Sequence, residues 1–431
     1  MPYEHIGQAP KRIAVIGGGI SGLGAAHLLS ERHAVVLLEA DTRLGGHART
    51  VWAGKRGDQW VDTGFIVFNY ANYPRLTKLF ETLDIPVAKS EMTFAASIDG
   101  GRIEYALNSL DTIFAQRRNI ARPAFLRMMR DLLKFNAEAV ERAKNPAQTI
   151  GGLLDDLGTG SWFRDYYLTP FSGAIWSTPV EKILDFPARS LVQFFKNHNL
   201  LNYTGQHQWW TVEGGSAVYV QRLASLLEKR GVDIRTGTPV QGVRRTPVGV
   251  EVRVKGNEWE WFDEVVFATH SDTTLAMLAD ASSAERRALG AIAYQPNEMV
   301  LHADPVAMPK RRKCWSAWNY TEAAGKRSER IDLSYWMNVL QPIPKEDPLF
   351  VTLNSQHDIR DELIYDTHTF SHPVYTRDAF EAQSVLADMN GANRTWFCGA
   401  WMKNGFHEDG LASACDVADR IFASDLGVVA A

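Results

Sequence analysis

The sequence has little of what marks metal centres, disulfide scaffolds and membrane spans. Cysteine is rare, with three in 431 residues and no CxxC pair, which argues against a metal site or a disulfide framework and fits a reducing compartment. There is no apolar run of about 18 residues, so no membrane-spanning helix is expected. Residues 1–11 are polar and lack the apolar core of a secretory signal, which favours a cytoplasmic protein. The net charge of −4 gives no overall attraction to nucleic acid.

The length and the composition predict a globular chain of two packed domains. A chain of 431 residues exceeds the size at which a single hydrophobic core usually stops growing. Hydrophobic residues make up 45% and charged residues 22%, which excludes a disordered or collagen-like protein. The 13 tryptophans and 20 phenylalanines are many for this length and suggest an aromatic-lined interior or binding surface.

A glycine-rich turn between a strand and a helix is the strongest signal. Residues 12–16 form an apolar run typical of a buried strand, and residues 23–29 are small and apolar at helical spacing. Between them the chain reads GGGISG, a G-x-G-x-x-G motif in the context that nucleotide-binding turns require. The glycines allow a tight turn and a close approach to a pyrophosphate, and the helix N-terminus offers free N–H groups. The predicted phosphate-binding residues are Gly17, Gly19, Ile20, Ser21 and Gly22.

An acidic residue ends the next predicted strand, residues 34–38. Glu39 is placed to accept hydrogen bonds from the two hydroxyls of a ribose, and with Ala40 it indicates the adenosine end of a dinucleotide. The acid disfavours a 2′-phosphate, which makes NADP the less expected ligand. A glycine cluster alone is more often a simple turn, but the strand, the helix and the acid at this spacing favour a nucleotide site.

The segment that follows distinguishes FAD from NAD. Residues 43–50, RLGGHART, resemble the R-x-G-G-x-x-x-[ST] segment of flavin amine oxidases, protoporphyrinogen oxidases and carotenoid desaturases. In that family the double glycine brings backbone against the FAD diphosphate and ribityl chain. The resemblance therefore implies non-covalently bound FAD, lined here by Arg43, Gly45, Gly46, His47 and Arg49.

Later segments resemble the same family in the same order. They are residues 209–216 (WWTVEGGS) opening a helix over 217–229, a strand at 239–243, residues 262–270 (FDEVVFATH) and residues 394–399 (RTWFCG). A helix expected from about residue 411 to 423 would point its N-terminus at the flavin N1–C2=O, where reduced flavin carries negative charge. The resemblance adds as cofactor contacts Thr63, Gly64, Phe65, Val240, Ala268, Thr269, Gly399, Asp409, Gly410 and Leu411.

The fold that the resemblance implies is α/β. It is a Rossmann-like FAD-binding domain of the GR2 type, interleaved with an α+β substrate domain that carries an antiparallel sheet. The FAD-binding domain is expected to be discontinuous, over residues 1–69, 205–271 and 373–431. The substrate domain is expected over residues 70–204 and 272–372.

Four further segments resemble one branch of the family. They are residues 61–69 (VDTGFIVFN), 172–177 (SGAIWS), 198–201 (HNLL) and 405–410 (GFHEDG). Together they are similar to bacterial FAD-binding proteins whose genes neighbour cyclopropane-fatty-acid-synthase-like methyltransferases. That resemblance implies an FAD-dependent oxidoreductase that desaturates a methylated acyl chain of a phospholipid, on the way to furan fatty acids. Branch membership does not by itself fix the substrate.

Desaturation requires a hydride acceptor and a base. The flavin N5 would take the hydride, and the best candidates for the proton acceptor are His407, Glu408 and Asp409, beside the inferred flavin edge. Any of the three could instead bond the ribityl chain or cap the helix, as Asp409 is suited to do. His198 and Asn199 are second-rank candidates. Cys398 is interpreted as a small buried hydrophobe, and no metal and no covalent flavin link are expected.

An acyl substrate would need an apolar tunnel, and an anionic membrane could hold it. Candidate lining residues are Phe171, Trp176, Phe194, Phe195, Trp315, Trp318, Tyr335 and Trp336. Residues 117–135 carry six basic residues and one acid, with apolar residues at helical spacing, as in helices that lie on anionic lipid. A solvated basic face whose apolar side is core is the simpler reading, and both stay open. A peripheral position on the inner face of the membrane is therefore one possibility for this cytoplasmic protein.

Two other functions remain open. A flavin amine oxidase would release hydrogen peroxide from amines and have an aromatic cage at the flavin. A non-catalytic flavin protein would carry a bound lipid to a partner enzyme. No nucleic-acid partner is expected, and the sequence leaves the oligomeric state open, a homodimer included.

Overall fold

The computed structural model describes residues 9–176, 180–202, 205–325 and 330–426. Ser177, which belongs to one of the branch segments, lies outside them. Five strands form a parallel sheet in the order β19-β13-β1-β2-β9. They are β1 (Arg12–Ile16), β2 (Ala34–Leu38), β9 (Asp233–Arg235), β13 (Glu264–Phe267) and β19 (Thr395–Phe397).

Both faces of this sheet are covered, which explains its continuous apolar strands. One face packs on helices, and residues of these helices share a hydrophobic core with β1 and β2. They are α1 (Ile20–Leu29), α2 (Pro74–Thr82), α9 (Ala217–Lys229) and α14 (His407–Asp425). The other face packs on a three-stranded sheet and three further helices. They are β10 (Val240–Arg245), β11 (Val250–Val254), β12 (Trp259–Phe262), α10 (Ser271–Met277), α11 (Ser283–Gly290) and α13 (Arg377–Met389).

A second, seven-stranded sheet has the order β18-β14-β17-β16-β15-β6-β7, and its strands pair antiparallel except for β15 with β6. They are β6 (Phe94–Ile98), β7 (Ile103–Ala106), β14 (Ala293–His302), β15 (Trp318–Thr321), β16 (Leu333–Trp336), β17 (Phe350–Leu353) and β18 (Ile364–Val374). Two antiparallel pairs, of which only the first is a hairpin, complete the strands. They are β3 (Thr50–Ala53) with β4 (Gln59–Asp62), and β5 (Val87–Ser90) with β8 (Trp209–Val212).

Helices from one stretch of chain pack beside β6 and β7 in a large aromatic-rich core. They are α3 (Leu110–Ile113), α4 (Pro123–Arg142), α5 (Ile150–Leu157), α6 (Ser161–Phe163), α7 (Thr169–Trp176) and α8 (Ala188–Asn197). The short helix α12 (Met337–Leu340) lies elsewhere and follows β16. Among the described residues, none of the helices is both long enough and apolar enough to cross a bilayer. The predicted α/β fold with an antiparallel sheet is confirmed, whereas the domain limits stay a prediction.

Two elements begin elsewhere than the sequence pattern suggests. Helix α14 begins at His407, four residues before the expected start, so residues 407–410 form its first turn and not a loop. The basic segment is not one helix, because residues 117–121 form a 3₁₀ turn and α4 starts only at Pro123. Proline disfavours helical geometry in the residue before it and is well tolerated at the first helical position, which explains this break.

The three cysteines are free thiols. Cys314 and Cys398 are completely buried, and Cys415 is half-buried. Burial raises the thiol pKa of Cys314 to about 11 and that of Cys398 to about 12, and it also raises the pKa of Cys415. Cys398 therefore lies directly after β19 as a small core residue, as the sequence analysis predicted.

Candidate cofactor and active site

The two glycine segments pack backbone against backbone. Gly17 has a φ of +109°, and a Cβ there would lie 2.8 Å from the carbonyl oxygen of Ala268. A Cβ on Gly22 would lie only 1.7 Å from the carbonyl oxygen of Gly17. The N–H of Gly45 donates to the carbonyl of Gly18 at 2.8 Å. Any side chain at these points would push the turns apart, so the glycines are required by the close packing.

The start of α1 fits a dinucleotide phosphate. Gly19 precedes the helix and no side chain caps it. The first-turn N–H groups of Ile20, Ser21 and Gly22 have no acceptor within the helix, because the first turn of an α-helix has none. A Cβ built on Gly19 meets nothing closer than 4.0 Å, which leaves room in front of these donors. A bound anion would satisfy them and lie at the positive end of the helix dipole.

Glu39 and Ala40 lie beside the glycine turn. The Glu39 carboxylate accepts the N–H of Gly18 at 2.5 Å and the N–H of Asp41 at 2.8 Å. The carbonyl of Glu39 accepts the N–H of Thr238 at 2.8 Å, which brings the chain leading into Val240 next to it. Glu39, Ala40 and Val240 are therefore neighbours, as an adenosine site requires.

The predicted arginines are bonded within the protein. Arg43 donates to the carbonyls of Gly46, at 2.8 Å, and Ala48, at 3.2 Å, so its guanidinium braces the double-glycine turn. Arg49 forms an ion pair with Asp366 of β18, with Nη2 and Oδ1 3.2 Å apart. Arg43 thus sets the shape of the loop, and Arg49 joins that loop to the seven-stranded sheet.

Thr63, Gly64 and Phe65 run alongside the double-glycine loop. The N–H of Thr63 donates to the carbonyl of Arg49, and that of Phe65 to the carbonyl of His47, both at 2.9 Å. A Cβ on Gly64 would lie 2.1 Å from the His47 carbonyl oxygen, so only glycine fits there. The structure therefore brings these five residues together.

Asp62 is a junction that the sequence did not single out for a role. Its carboxylate is completely buried and accepts the Thr50 hydroxyl at 2.6 Å, the Ser216 N–H at 2.8 Å and the Gln341 amide at 2.9 Å. The Ser216 hydroxyl also donates to it at 2.7 Å. Burial raises the pKa of Asp62 to about 6 despite these donors. One carboxylate thus ties β3, β4, the start of α9 and the end of α12.

Histidines gather beside His47, and only His47 was predicted. Its ring centroid lies 6.0 Å from that of His270 and 5.4 Å from that of His372. Nδ1 of His372 bonds the side-chain amide of Asn297 at 2.9 Å. Burial lowers the pKa of all three imidazoles, that of His372 to about 4, so they are neutral. Their positions in three distant segments leave no spacing in the sequence that could have revealed the group. Among the described residues no group of His, Cys, Asp and Glu is arranged to hold a metal ion.

The predicted cofactor residues Ala268, Thr269 and Gly399 lie just after strands β13 and β19, near the glycine turn. The N–H of Ala268 donates to the carbonyl of Ile16 at 2.8 Å, and the indole of Trp401 donates to the carbonyl of Thr269 at 2.9 Å. The N–H of Gly399 donates to the hydroxyl of Ser413, within α14, at 2.9 Å. These bonds hold the ends of β13 and β19 beside the start of α1.

The N-terminus of α14 approaches that of α1. A Cβ on Gly410 would lie 2.8 Å from Cγ2 of Ile20 and 2.9 Å from the hydroxyl oxygen of Ser21. Leu411 packs in the same way on Gly24, where a Cβ would lie 2.6 Å from its Cδ1. The two positive helix ends therefore face one region, which suits a ligand that carries negative charge at more than one place.

His407 is held between an aromatic ring and a hydroxyl. Its imidazole stacks on Phe65 with centroids 3.9 Å apart, and its Nε2 shares a hydrogen bond of 2.6 Å with the hydroxyl of Tyr219. Burial lowers the pKa of His407 to about 3, so the ring is neutral. Tyr219 is fully buried on α9, and no pattern in the sequence indicates its contact with His407.

The two acids beside His407 cap helices. The carboxylate of Glu408 accepts the N–H groups of Arg75, at 3.1 Å, and Leu76, at 2.9 Å, in the first turn of α2. Asp409 accepts the N–H of Phe406 at 2.9 Å and so caps its own helix, and burial raises its pKa to about 6. The geometry favours the capping alternative for both acids and leaves His407 as the candidate base.

Aromatic side chains from α7 and α8 surround Phe406, next to His407. Phe194 stacks on Phe406 with centroids 4.9 Å apart, and Trp176 contacts Phe194 at 4.8 Å. His198 stacks on Phe194 at 3.9 Å, whereas the Asn199 amide turns outward to bond the carbonyl of Gly205.

The eight aromatic candidates do not form one lining. Phe171 and Phe195 contact each other at 5.6 Å within the core that includes Trp176 and Phe194, and Trp318 and Tyr335 pack at its edge. Trp315 and Trp336 pack on each other, with centroids 5.4 Å apart, and Trp315 also contacts Phe350 of the seven-stranded sheet at 5.6 Å.

Comparisons with known proteins agree with this arrangement. Residues 20–348 match the family described as flavin containing amine oxidoreductase. The chain is 47% identical over 49 residues to L-amino acid oxidase Lm29 of Lachesis muta, which is 11% of this chain and 10% of the relative. It is 36% identical over 77 residues to 15-cis-phytoene desaturase of Arabidopsis thaliana, or 18% of this chain and 13% of the relative. The matches therefore cover little more than a tenth of either relative.

Solved structures share the fold over almost the whole chain. A CLA-producing fatty acid isomerase from P. acnes superposes with a TM-score of 0.68 at 15% identity, over 96% of this chain and 99% of that one. Cyclohexylamine oxidase from Brevibacterium oxydans gives 0.66 at 13% identity, over 96% and 100%. FAD, the predicted cofactor, is confirmed by the family match and suits the two helix ends and the adenosine site. The chain belongs to the flavin containing amine oxidoreductase family, within the FAD-dependent oxidoreductases of the amine oxidase and desaturase superfamily.

Proposed function

We propose that this chain desaturates a long acyl chain carried by a phospholipid, with a methylated fatty acyl chain as the substrate. The observation that carries the proposal is the aromatic cluster at Phe406. Trp176, Phe194 and Phe406 pack against one another immediately beside His407. Such a cluster offers apolar contacts to a hydrocarbon and no charge to a polar substrate.

The ionisable groups at this place support an apolar substrate. His407 is neutral because burial lowers its pKa to about 3, and burial also lowers the pKa of His198 to about 4. The carboxylates of Glu408 and Asp409 bond backbone N–H groups. A cationic amine would need an accessible anion or aromatic faces open to it, whereas Phe194 and Phe406 stack on each other. An acyl chain needs only apolar contact.

The proposed cofactor site follows the geometry above. Glu39, Ala40 and Val240 would hold the adenosine, and the first turn of α1 with the double-glycine loop would hold the diphosphate. The start of α14, with Thr63, Gly64 and Phe65, would face the flavin. Bound FAD supplies an acceptor for the hydride that leaves the acyl chain.

His407 is the proposed acceptor of the proton that leaves the neighbouring carbon. Phe65 and Tyr219 fix the orientation of its neutral imidazole. In the tautomer whose Nε2–H donates to the Tyr219 hydroxyl oxygen, Nδ1 keeps the lone pair that accepts a proton. General bases must lie within hydrogen-bond reach of the proton that they take, and a fixed ring meets this need without reorganising. A hydride to the cofactor and a proton to His407 account for both hydrogens lost when the double bond forms.

The relatives include proteins named for apolar-chain substrates and others named for amines. The fatty acid isomerase and the phytoene desaturase are of the first kind, and the L-amino acid oxidases and cyclohexylamine oxidase are of the second. The packing around Phe406 and the resemblance of residues 61–69 and 405–410 to the bacterial fatty-acid branch favour the first kind.

The test is an anaerobic titration of the purified yellow protein, followed by its visible flavin absorbance. Vesicles carrying methylated unsaturated phospholipids should bleach the flavin, and a panel of amines should not. Mass spectrometry of the recovered lipid should show an acyl chain lighter by two hydrogen atoms. A bleached flavin with an unchanged lipid mass would contradict desaturation.

Two other outcomes would replace the proposal. Bleaching by an amine would make the chain an amine oxidase. A shifted double bond without change of mass would make it an isomerase. Vesicles of fully saturated phospholipid with unbranched chains are the matched control and should leave the flavin oxidised.

A further inference from the structure

The outer face of α4 exposes apolar and basic side chains together. Leu126 is 44% and Leu133 is 51% exposed. A single exposed leucine is common on protein surfaces, but two on one side of a helix form a patch. They stand seven residues apart, close to two helical turns, and so lie on the same side of the helix. Arg130 lies between them, with Arg127 and Lys134 at the adjoining edge. We call these five residues the docking face.

The docking face is not the apolar side that the sequence pattern suggested. Phe125, Met128, Leu132 and Phe135 are buried in the aromatic-rich core. The hypothesis that the apolar side of this segment is core is therefore confirmed for these four residues. The two leucines form a second apolar stripe, on the opposite side, which the described part of the chain leaves uncovered.

The exposed charge of this stretch is positive. Arg127, Arg130 and Lys134 are exposed, and the single acid among them, Asp131, is buried. Asp131 pairs with Arg127 at 3.6 Å and with Arg130 at 3.3 Å, so it balances one of the three positive charges. Its carboxylate accepts the N–H of Gly160 at 2.8 Å. Ile120, in the 3₁₀ turn that precedes α4, is also exposed. Arg118 near it is exposed, and Arg117 pairs with the exposed Asp111. The whole chain carries a net charge of −4, so this positive charge is a local feature.

The inner side of the same helix leads to the candidate active site. Phe135 of α4 contacts Phe195 of α8, with centroids 6.4 Å apart. The neighbouring Phe194 stacks on Phe406, which directly precedes His407. Two aromatic contacts, joined by residues adjacent in sequence, therefore connect the inner side of α4 with the catalytic candidate.

We infer that the docking face holds the protein against an anionic phospholipid bilayer. Leucines that enter the acyl boundary, with arginine and lysine beside them at the level of the phosphates, are the pattern of interfacial helices. Lipid fits better than a second copy of the chain. A self-complementary interface would bring Arg127 and Arg130 close to their own copies, and like charges oppose association.

The experiment measures binding of the FAD-loaded full chain to vesicles by flotation. Vesicles of phosphatidylcholine with phosphatidylglycerol should bind it, and pure phosphatidylcholine should bind it far less. Each basic residue near an anionic surface strengthens binding by about fivefold. The double variant Arg127→Gln and Arg130→Gln should therefore bind roughly 25-fold more weakly. The double variant Leu126→Ser and Leu133→Ser should bind vesicles roughly tenfold more weakly, because serine gains nothing from burial in the bilayer.

Matched control variants change the same residue types elsewhere. Arg56→Gln with Arg377→Gln removes two exposed charges, and Val248→Ser with Leu426→Ser removes two exposed apolar side chains. Both should bind like the wild type. The yellow colour and the thermal midpoint of every variant check that it is folded and loaded.

The docking inference and the proposed function can fail separately, because these vesicles contain no substrate chain. Equal binding by the docking-face variants and the controls would overturn the inference, as would no binding of the wild type. Self-association that the two leucine changes abolish would assign the face to a second copy instead. Turnover of dispersed lipid in detergent would then still test the desaturase.

Discussion

At the scale of single residues, His407 has the most specific surroundings. Phe65 and Tyr219 hold its ring, and burial keeps it neutral. The place of His407, Glu408 and Asp409 before a flavin-facing helix predicted all three as candidates. The sequence could not indicate Tyr219, because its contact with His407 joins residues 188 positions apart and depends on how α9 packs beside α14.

We expect His407→Ala to slow flavin reduction by substrate by roughly 10²–10⁴-fold, the usual contribution of a general base. The variant should keep FAD, because alanine leaves the backbone N–H groups at the start of α14 in place and the glycine turns are unchanged. Tyr219→Phe removes only the hydroxyl and should have a smaller effect. Stopped-flow reduction under anaerobic conditions measures both, and an unchanged rate in His407→Ala would assign the proton to another group.

Asp62 gives a prediction on stability and pH. Burial raises its pKa from 3.8 to about 6, so the folded chain binds a proton where the unfolded chain has released it. The carboxyl therefore adds stability that is complete below about pH 4 and is lost as the pH rises through about 6. Two pKa units correspond to about 3 kcal/mol.

The measurement is urea unfolding of the wild type and Asp62→Asn between acid and neutral pH. The free energy of unfolding of the wild type, relative to the variant, should fall by about 3 kcal/mol across this window, because asparagine does not titrate. Parallel curves would mean that the four donors around Asp62 offset its burial completely.

At the scale of elements, the starts of α2 and α14 are fastened together by one side chain. Glu408 lies in the first turn of α14 and caps the first turn of α2. The sequence placed Glu408 in a loop near the flavin. It could not show the cap, because α2 lies more than 300 residues earlier in the chain.

We expect Glu408→Ala to lower the free energy of unfolding by about 1–2 kcal/mol, the usual value of a helix cap. Glu408→Gln keeps one acceptor oxygen and should lower the free energy of unfolding by less. Neither change should slow flavin reduction by more than about tenfold, since the carboxylate faces α2. A loss as large as that of His407→Ala would restore Glu408 as a catalytic candidate.

The close approach of α14 to α1 predicts a second effect. Gly410→Ala would place a methyl group 2.8 Å from Ile20, and overpacking of this kind costs about 1–3 kcal/mol. If the two helix ends hold FAD together, the dissociation constant of FAD should rise by roughly tenfold or more. Flavin fluorescence on titration of the apoprotein measures it.

Gly152→Ala is the matched control for Gly410→Ala. Gly152 also lies inside a helix, but a Cβ there meets nothing closer than 3.7 Å. That variant should bind FAD like the wild type. Equal affinity of both variants would show that the separation of α1 and α14 does not matter to the cofactor.

The presence of a helix or strand was easier to predict from the sequence than its first and last residues. Strands β1 and β2 and helix α9 have the predicted ends, because apolar runs and glycine turns delimit them sharply. Helix α14 begins at His407 and not at about residue 411, and its first turn includes Gly410, which allows close packing on α1. The break before α4 follows from Pro123, a local signal that the interpretation of residues 117–135 as one helix passed over.

At the scale of the whole molecule, the fold could be predicted because its family segments recur in order along the chain. The cofactor residues come from several distant segments, and α1, α14, β13 and β19 bring them to one edge of the parallel sheet. The three neutral histidines and the Asp62 junction could not be predicted, because each joins segments that have no fixed spacing.

Removal of FAD should lower the thermal stability of the whole chain. A ligand that binds only the folded state adds about 4 kcal/mol when its concentration is a thousand times its dissociation constant. The apoprotein should therefore unfold at a lower temperature, and added FAD should restore the midpoint in a concentration-dependent way. Scanning calorimetry measures this, and identical midpoints would mean that FAD binds the unfolded chain equally well or not at all.

The buried thiols have a practical consequence. Thiol reagents attack the thiolate, and Cys314 and Cys398 are fully buried with raised pKa values, while Cys415 is half-buried with its pKa raised as well. A cysteine introduced at an exposed position, such as Leu126→Cys, would therefore react far ahead of the native three. A single fluorophore or spin label could be attached there without removing any natural cysteine, and it would report the depth and the orientation of α4 on a bilayer.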